Sequence, residues 1–130
     1  MYKRQRDEHV YRATGSAIPT KVPVVVLVNH GSASASEIVT GALQDRHRAK
    51  VIGTHTYGKG VFQEVRELPN GGALDITVGE YFTPSGRNLG GGGTKRGAGI
   101  TPDITAQDRP RTRADEGIEA ALRTLAAESH

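Results

Sequence analysis

Between residues 22 and 28 the chain reads Val-Pro-Val-Val-Val-Leu-Val without polar alternation, the pattern of a strand covered on both faces in an α/β layer fold. Pro23 fits only near the start of such a strand. After the turn Asn29-His30-Gly31-Ser32, apolar positions fall at Ala35, Ile38, Val39, Ala42 and Leu43, the stripe of an amphipathic helix. Ser34 with Glu37 three residues on matches a capping box at its start, and the cations around Arg46 and Arg48 suit its end. Residues 49–53 predict a second short strand, which completes a strand-helix-strand unit. Residues 61–68 and 73–78 flank Pro69-Asn70-Gly71-Gly72 and predict a hairpin, with Leu74, Ile76 and Val78 alternating against Asp75 and Thr77. Residues 83–99, which hold Pro84-Ser85-Gly86 and the glycine run 90–93, predict a flexible loop with no core of its own. Residues 100–104 are brief and extended. Residues 112–127 predict a terminal amphipathic helix with Ile118, Ala121, Leu122 and Leu125 on one face, and Thr112 and Asp115 as its cap pair. Residues 1–21 keep no period, Gly15-Ser16-Ala17-Ile18-Pro19 breaks any regular element, and the segment reads as an irregular lead-in.

Composition narrows the picture. At 130 residues one compact core is expected. With 35% hydrophobic residues, 5% aromatic residues and no Trp, that core must be thin and aliphatic. The 17 basic and 14 acidic side chains give a net charge of +3. The densest basic runs, at residues 3–6 and 109–113, lack interleaved aromatics on which bases stack, so no nucleic-acid partner is expected. Zero cysteines exclude disulfides, thiolate metal sites and Cys nucleophiles. The longest apolar run, residues 22–28, is far too short to span a bilayer. The polar start Met1-Tyr2-Lys3-Arg4 is no signal peptide.

The candidate chemistry sits where the first strand turns into the first helix. A serine at such a corner, here Ser34, serves either as a plain cap or as a nucleophile whose oxyanion forms beside the N–H of the next residue, Ala35. Lys59, hemmed by Gly58 and Gly60, is either a solvated charge or the base that a serine needs; His30 and His55 stay open as alternatives. A Ser-Lys pair requires a neutral lysine, a shift of roughly 3 units from about 10.4, worth on the order of 4 kcal/mol. Residues 53–59 match the first seven positions of a phosphate-binding loop. Gly60 stands where Ser or Thr must hold magnesium, however, and a strand-like run follows instead of a helix. No His pair has ligand spacing and the carboxylates are scattered, so neither metal nor cofactor is expected.

Four ordered motifs carry a family resemblance: residues 24–29 (Val-Val-Val-Leu-Val-Asn) followed by 31–38 (Gly-Ser-Ala-Ser-Ala-Ser-Glu-Ile), Tyr57-Gly58-Lys59-Gly60 with Gln63, residues 81–87 (Tyr-Phe-Thr-Pro-Ser-Gly-Arg), and 99–103 (Gly-Ile-Thr-Pro-Asp). Together they resemble the carboxyl-terminal processing (tail-specific) proteases, S41-type serine peptidases. The resemblance implies Ser34 as nucleophile and Lys59, 25 residues on, as general base. It also implies Gln63 as the group that orients the lysine, and the N–H of Ala35 as an oxyanion donor. The implied fold is a layered crotonase/ClpP-like α/β core. The family's peptide-binding PDZ domain and its Asp-Leu-Arg-x-Asn-x-Gly-Gly segment have no match in residues 1–21. Residues 22–130 are therefore expected to be part of a catalytic domain, with unpaired edges prone to self-association. The implied function is a serine endopeptidase acting near protein C-termini, from an exported parent of the bacterial envelope or beyond. The alternative is a non-catalytic binding or assembly fragment that keeps the peptidase fold.

Overall fold

The computed structural model describes residues 10–109, 111 and 113–128. Its elements follow in the order β1 (Val25–Val28), α1 (Ala35–Asp45), β2 (Lys50–Gly53), β3 (Val61–Glu67), β4 (Ala73–Glu80), β5 (Ile104–Thr105) and α2 (Glu116–Glu128). Residues 10–24 form no strand or helix, so β1 begins at Val25, three residues later than the apolar run at 22–28 predicts; residues 1–9 lie outside the described residues.

A parallel sheet in the order β1-β2-β5 is the organising layer. β1 pairs with β2 from Val25↔Lys50 to Val28↔Gly53, and β2 pairs with β5 at Ile52↔Ile104. Alternating side chains divide the core between the two faces of this sheet. On one face Val28, Val51, Leu89 and Ile100 form a buried cluster against Val26 and Ile38 of α1. On the other, Ile52 packs with Ala120 and Ala121 of α2, flanked by Val25 and Ala106. The result is helix, sheet and helix in three layers.

Four expectations need correction. β1 is covered less completely than its apolar run implied: it is a sheet edge, and Leu27 is 46% exposed. The face of α2 that meets the sheet is rotated from the predicted stripe. Ala120 and Ala121 are buried and Gly117 and Thr124 half-buried, whereas Ile118 and Leu122 are exposed. Small residues at these positions let the helix approach the thin sheet closely, and that geometry outweighs side-chain size. α2 begins at Glu116, with Asp115 Oδ1 accepting the Ile118 N–H at 2.8 Å; Thr112, the other predicted cap residue, lies outside the described residues. Finally, residues 83–99 do contribute to the core, because Leu89 is only 2% exposed and Thr83 is buried.

The β3–β4 hairpin forms as expected, in antiparallel register from Gln63↔Thr77 to Glu67↔Ala73, with a bulge beside Phe62. Its turn closes through Gly71 at φ 80, a value that favours glycine. Leu74, Ile76 and Val78 are exposed, so this ribbon projects from the core.

The motif at 81–87 is a clamp on the end of α1. Ser85 N–H donates to Asp45 Oδ2 at 2.9 Å, and Arg87 Nη2 donates to Asp45 Oδ1 at 2.5 Å and to Gln44 Oε1 at 3.1 Å. Burial pushes the Asp45 carboxyl up. Hydrogen bonds from Thr83, Ser85 and Arg87 outweigh that and hold it well below the usual carboxylate range. The motif at 99–103 splices onto β2: Asp103 Oδ2 accepts Val51 N–H at 2.7 Å, and Asp103 N–H returns to the Val51 carbonyl at 2.8 Å. No helix among the described residues is long and apolar enough to cross a membrane.

Candidate active site

Ser34 occupies the N-cap of α1 with φ 55 and ψ −117. Positive φ at a residue with a Cβ costs on the order of 1–3 kcal/mol, and such strain concentrates at functional sites. Ser34 and Glu37 form a capping box in which the Glu37 carboxylate takes the Ser34 N–H, while the Ser34 hydroxyl makes no cap hydrogen bond. The Glu37 N–H goes instead to the Ser34 carbonyl at 2.9 Å. As the first helical residue, Ala35 has an N–H with no partner among the described residues, free to meet an anion. The corner itself is held by Asn29, whose carbonyl accepts Ser32 N–H at 2.9 Å and whose Oδ1 accepts Gly31 N–H at 2.9 Å.

Glu37 joins this corner to the Lys59 segment. It is completely buried. Its Oε2 accepts Ser34 N–H at 2.9 Å and Lys59 N–H at 2.9 Å, while its Oε1 accepts Gly58 N–H at 2.7 Å and the Thr56 hydroxyl at 2.5 Å. One carboxylate therefore fixes the backbones of both Ser34 and Lys59. Tyr57 N–H donates to the Ser32 carbonyl at 2.9 Å, a second tie between the same two segments.

Lys59 is half-buried and its Nζ donates to Gln63 Oε1 at 3.2 Å. Among the described residues that is its hydrogen bond, and none runs to the Ser34 hydroxyl. The backbone around Lys59 lies against residues 93–97: Gly60 N–H donates to the Gly93 carbonyl at 3.0 Å, Lys95 N–H to Gly58 at 3.0 Å, and Gly97 N–H to Tyr57 at 2.8 Å. Gly58 has φ 89, and a Cβ there would collide with the Lys95 carbonyl, so only glycine lets the strands approach. The glycine run finds its use in the same contact. Asn88 Oδ1 accepts Gly90 N–H and Gly92 N–H, each at 3.0 Å, and folds the loop onto Gly60.

The structure thus brings Ser34, Ala35, Lys59 and Gln63 to one region. Of the alternative bases, His55 lies with Thr101, at 3.5 Å from its hydroxyl, and His30 is exposed. Sequence reasoning saw in Glu37 only half of a cap, and missed Thr56 and Asn88 altogether. An acid at the third helical position is the usual signature of a capping box, and no local pattern distinguishes one that also reaches a distant loop. Among the described residues no group of three or more His, Cys, Asp or Glu side chains is placed to hold a metal ion.

The sequence model of Peptidase family S41 matches residues 1–106. The chain belongs to peptidase family S41. Over 120 residues, 92% of this chain and 26% of the relative, it is 42% identical to a carboxy-terminal-processing protease of Bartonella bacilliformis. Over 95 residues, 72% of this chain and 17% of the relative, it is 48% identical to carboxyl-terminal-processing peptidase 2, chloroplastic, of Arabidopsis thaliana. Among solved structures, photosystem II D1 C-terminal processing protease is similar at a TM-score of 0.57 and 37% identity, over 82% of this chain and 25% of that one. This S41 chain spans between about a sixth and about a quarter of the length of these relatives.

Proposed function

We propose that the chain carries the nucleophile and base of a serine endopeptidase that cleaves protein substrates near their C-termini. The observation that supports it most is the buried Glu37 carboxylate, which binds Ser34 N–H and Lys59 N–H through one oxygen at 2.9 Å each. In this reading the neutral amine of Lys59 takes the proton from Ser34 Oγ, which attacks the scissile carbonyl. The Ala35 N–H meets the developing oxyanion. The ammonium of Lys59 returns its proton to the leaving amine, and the same lysine then activates the water that releases the acyl group. Gln63 holds Lys59 in position, the part of the third member of a triad. No step calls for a metal or a cofactor.

The reading extends to the surroundings. The three layers are those of a crotonase/ClpP-like core, and residues 22–130 belong to a larger catalytic domain of an exported parent. The exposed edge at β1, with Leu27, supports self-association. A binding or assembly fragment without turnover is the competing reading, and the hydrogen bond of Lys59 to Gln63 rather than Ser34 favours it. The deciding experiment is cleavage of a peptide with an unstructured apolar C-terminus by the chain, Ser34→Ala and Lys59→Ala. Turnover abolished by both substitutions is expected; turnover unchanged in either rejects the assignment.

A further inference from the structure

An open cleft of about 810 Å³ lies beside the Ser34 corner, walled by the residues that follow β1, β2 and β5. These three strands are parallel, so the cleft opens at their carboxyl ends, where open α/β sheets take ligands. Ser32, His30, His55 and Arg96 line it, with Asp108 and Asp115 at the start of α2.

Arg96 stands apart from the other charges here. Both acids are already engaged by backbone, Asp108 Oδ1 with Glu116 N–H at 3.1 Å and Asp115 Oδ1 with Ile118 N–H at 2.8 Å. Arg96 has no carboxylate partner among the described residues; its guanidinium lies 5.7 Å from the centre of the Tyr57 ring. That distance is within cation–π reach, and the N–H groups of a guanidinium match a carboxylate bidentately. The backbone on each side of Arg96 is pinned, Lys95 N–H to Gly58 and Gly97 N–H to Tyr57. Tyr57 in turn is bonded to Ser32, two residues before Ser34. The backbone that carries this exposed cation is therefore held in place, which lowers the entropic cost of using it. The wall also holds Thr54 Oγ1, buried and without a hydrogen-bond partner among the described residues.

We propose that Arg96 is a specificity-determining residue: the cleft takes a peptide segment bearing a carboxylate, from a free C-terminus or an Asp or Glu side chain, and the guanidinium binds it. The proposal rests on the peptidase reading of Ser34 and Lys59, which stand outside the cleft's lining, and names the substrate chemistry that the adjoining cleft selects.

The test uses a short fluorescein-labelled peptide of Ala, Leu and Val in three forms: free acid, C-terminal amide, and amide with one internal Asp. Binding to the Ser34→Ala chain is read by anisotropy and cleavage by the unsubstituted chain is read by mass spectrometry. At least one carboxylate form is expected to bind about tenfold more tightly than the plain amide, with the preference weakening as salt is raised. The free acid alone identifies a C-terminal carboxylate as the ligand group, and the Asp form identifies a side chain. Arg96→Ala and Arg96→Gln, checked for native circular dichroism, are expected to erase the preference, and Arg96→Lys to retain part of it. Cleavage that depends on Ser34 and Lys59 while the three forms compete equally, or keep their ratio in Arg96→Gln, overturns this proposal and leaves the peptidase reading standing. A chain that neither binds nor cleaves any form overturns both.

Discussion

Replacing Glu37 by Gln is the sharpest perturbation of the joint between the two halves of the site. The side chain is fully buried and receives four donors, two on each oxygen. A glutamine keeps one acceptor oxygen, which serves one pair. Its NH₂ then faces the other pair, either Ser34 N–H with Lys59 N–H or Gly58 N–H with the Thr56 hydroxyl. Two charge-assisted bonds at about 1.5–3 kcal/mol each are lost and two donors are left without a partner. Simple addition gives roughly 3–6 kcal/mol, and relaxation around the site favours the lower figure. Against a typical total of about 5–15 kcal/mol, this is a large fraction. Urea denaturation followed by circular dichroism is the assay, with an unchanged m-value and a lower midpoint as the expected result. Glu64→Gln, on the exposed hairpin, is the control and should shift stability by less than about 0.5 kcal/mol. A Glu37→Gln chain as stable as that control refutes the view that one carboxylate secures both segments.

Other expectations follow from the same contacts. The Asp45 carboxyl is held below its ordinary value, so it stabilises the fold above the unfolded carboxylate range and loses that contribution as pH falls through and below it. Asp45→Asn should therefore cost about 2 kcal/mol at neutral pH and flatten the acid limb of a melting-temperature profile; parallel profiles for the two chains contradict this. Gly58→Ala places a Cβ at φ 89 against the Lys95 carbonyl and should cost about 2 kcal/mol or more in denaturant, with a proportional fall in any turnover. Gln63→Ala removes the 3.2 Å contact with Lys59 from an exposed hairpin position and should lower kcat about tenfold or more with native stability retained. Leu27→Lys on the edge strand should reduce concentration-dependent association in size-exclusion chromatography, and an unchanged elution profile counts against self-association through β1.

Part of this is legible in local sequence chemistry. The β-branched run ending at Val28, the turn at Gly31, the helix from Ala35 and the short strand ending at Gly53 are each written in consecutive residues, and all four appear, but α1 buries Glu37, Thr40 and Gly41 while Ala35 and Val39 of its apolar stripe are exposed. Ser34, Lys59 and Gln63 were reached through motifs, and Lys59 and Gln63 are in contact. What was hidden depends on contacts between residues distant in sequence. Glu37 meets Thr56 and Gly58 only because β1, α1 and β2 fold into one unit. Leu89 is buried because the loop after Arg87 returns beneath α1, where Ile100 and Val51 receive it. The rotation of α2 toward Ala120 and Ala121 reflects the depth of the sheet it covers, which no periodicity in the helix itself encodes.

The central claim is that Ser34 and Lys59 act as nucleophile and base. It is tested most directly by the rate at which the chain cleaves a peptide with an unstructured apolar C-terminus, compared with Ser34→Ala and Lys59→Ala chains shown to have native circular dichroism. The account predicts that both substitutions lower turnover by more than about a thousandfold. Turnover by either variant at the rate of the unsubstituted chain would contradict it.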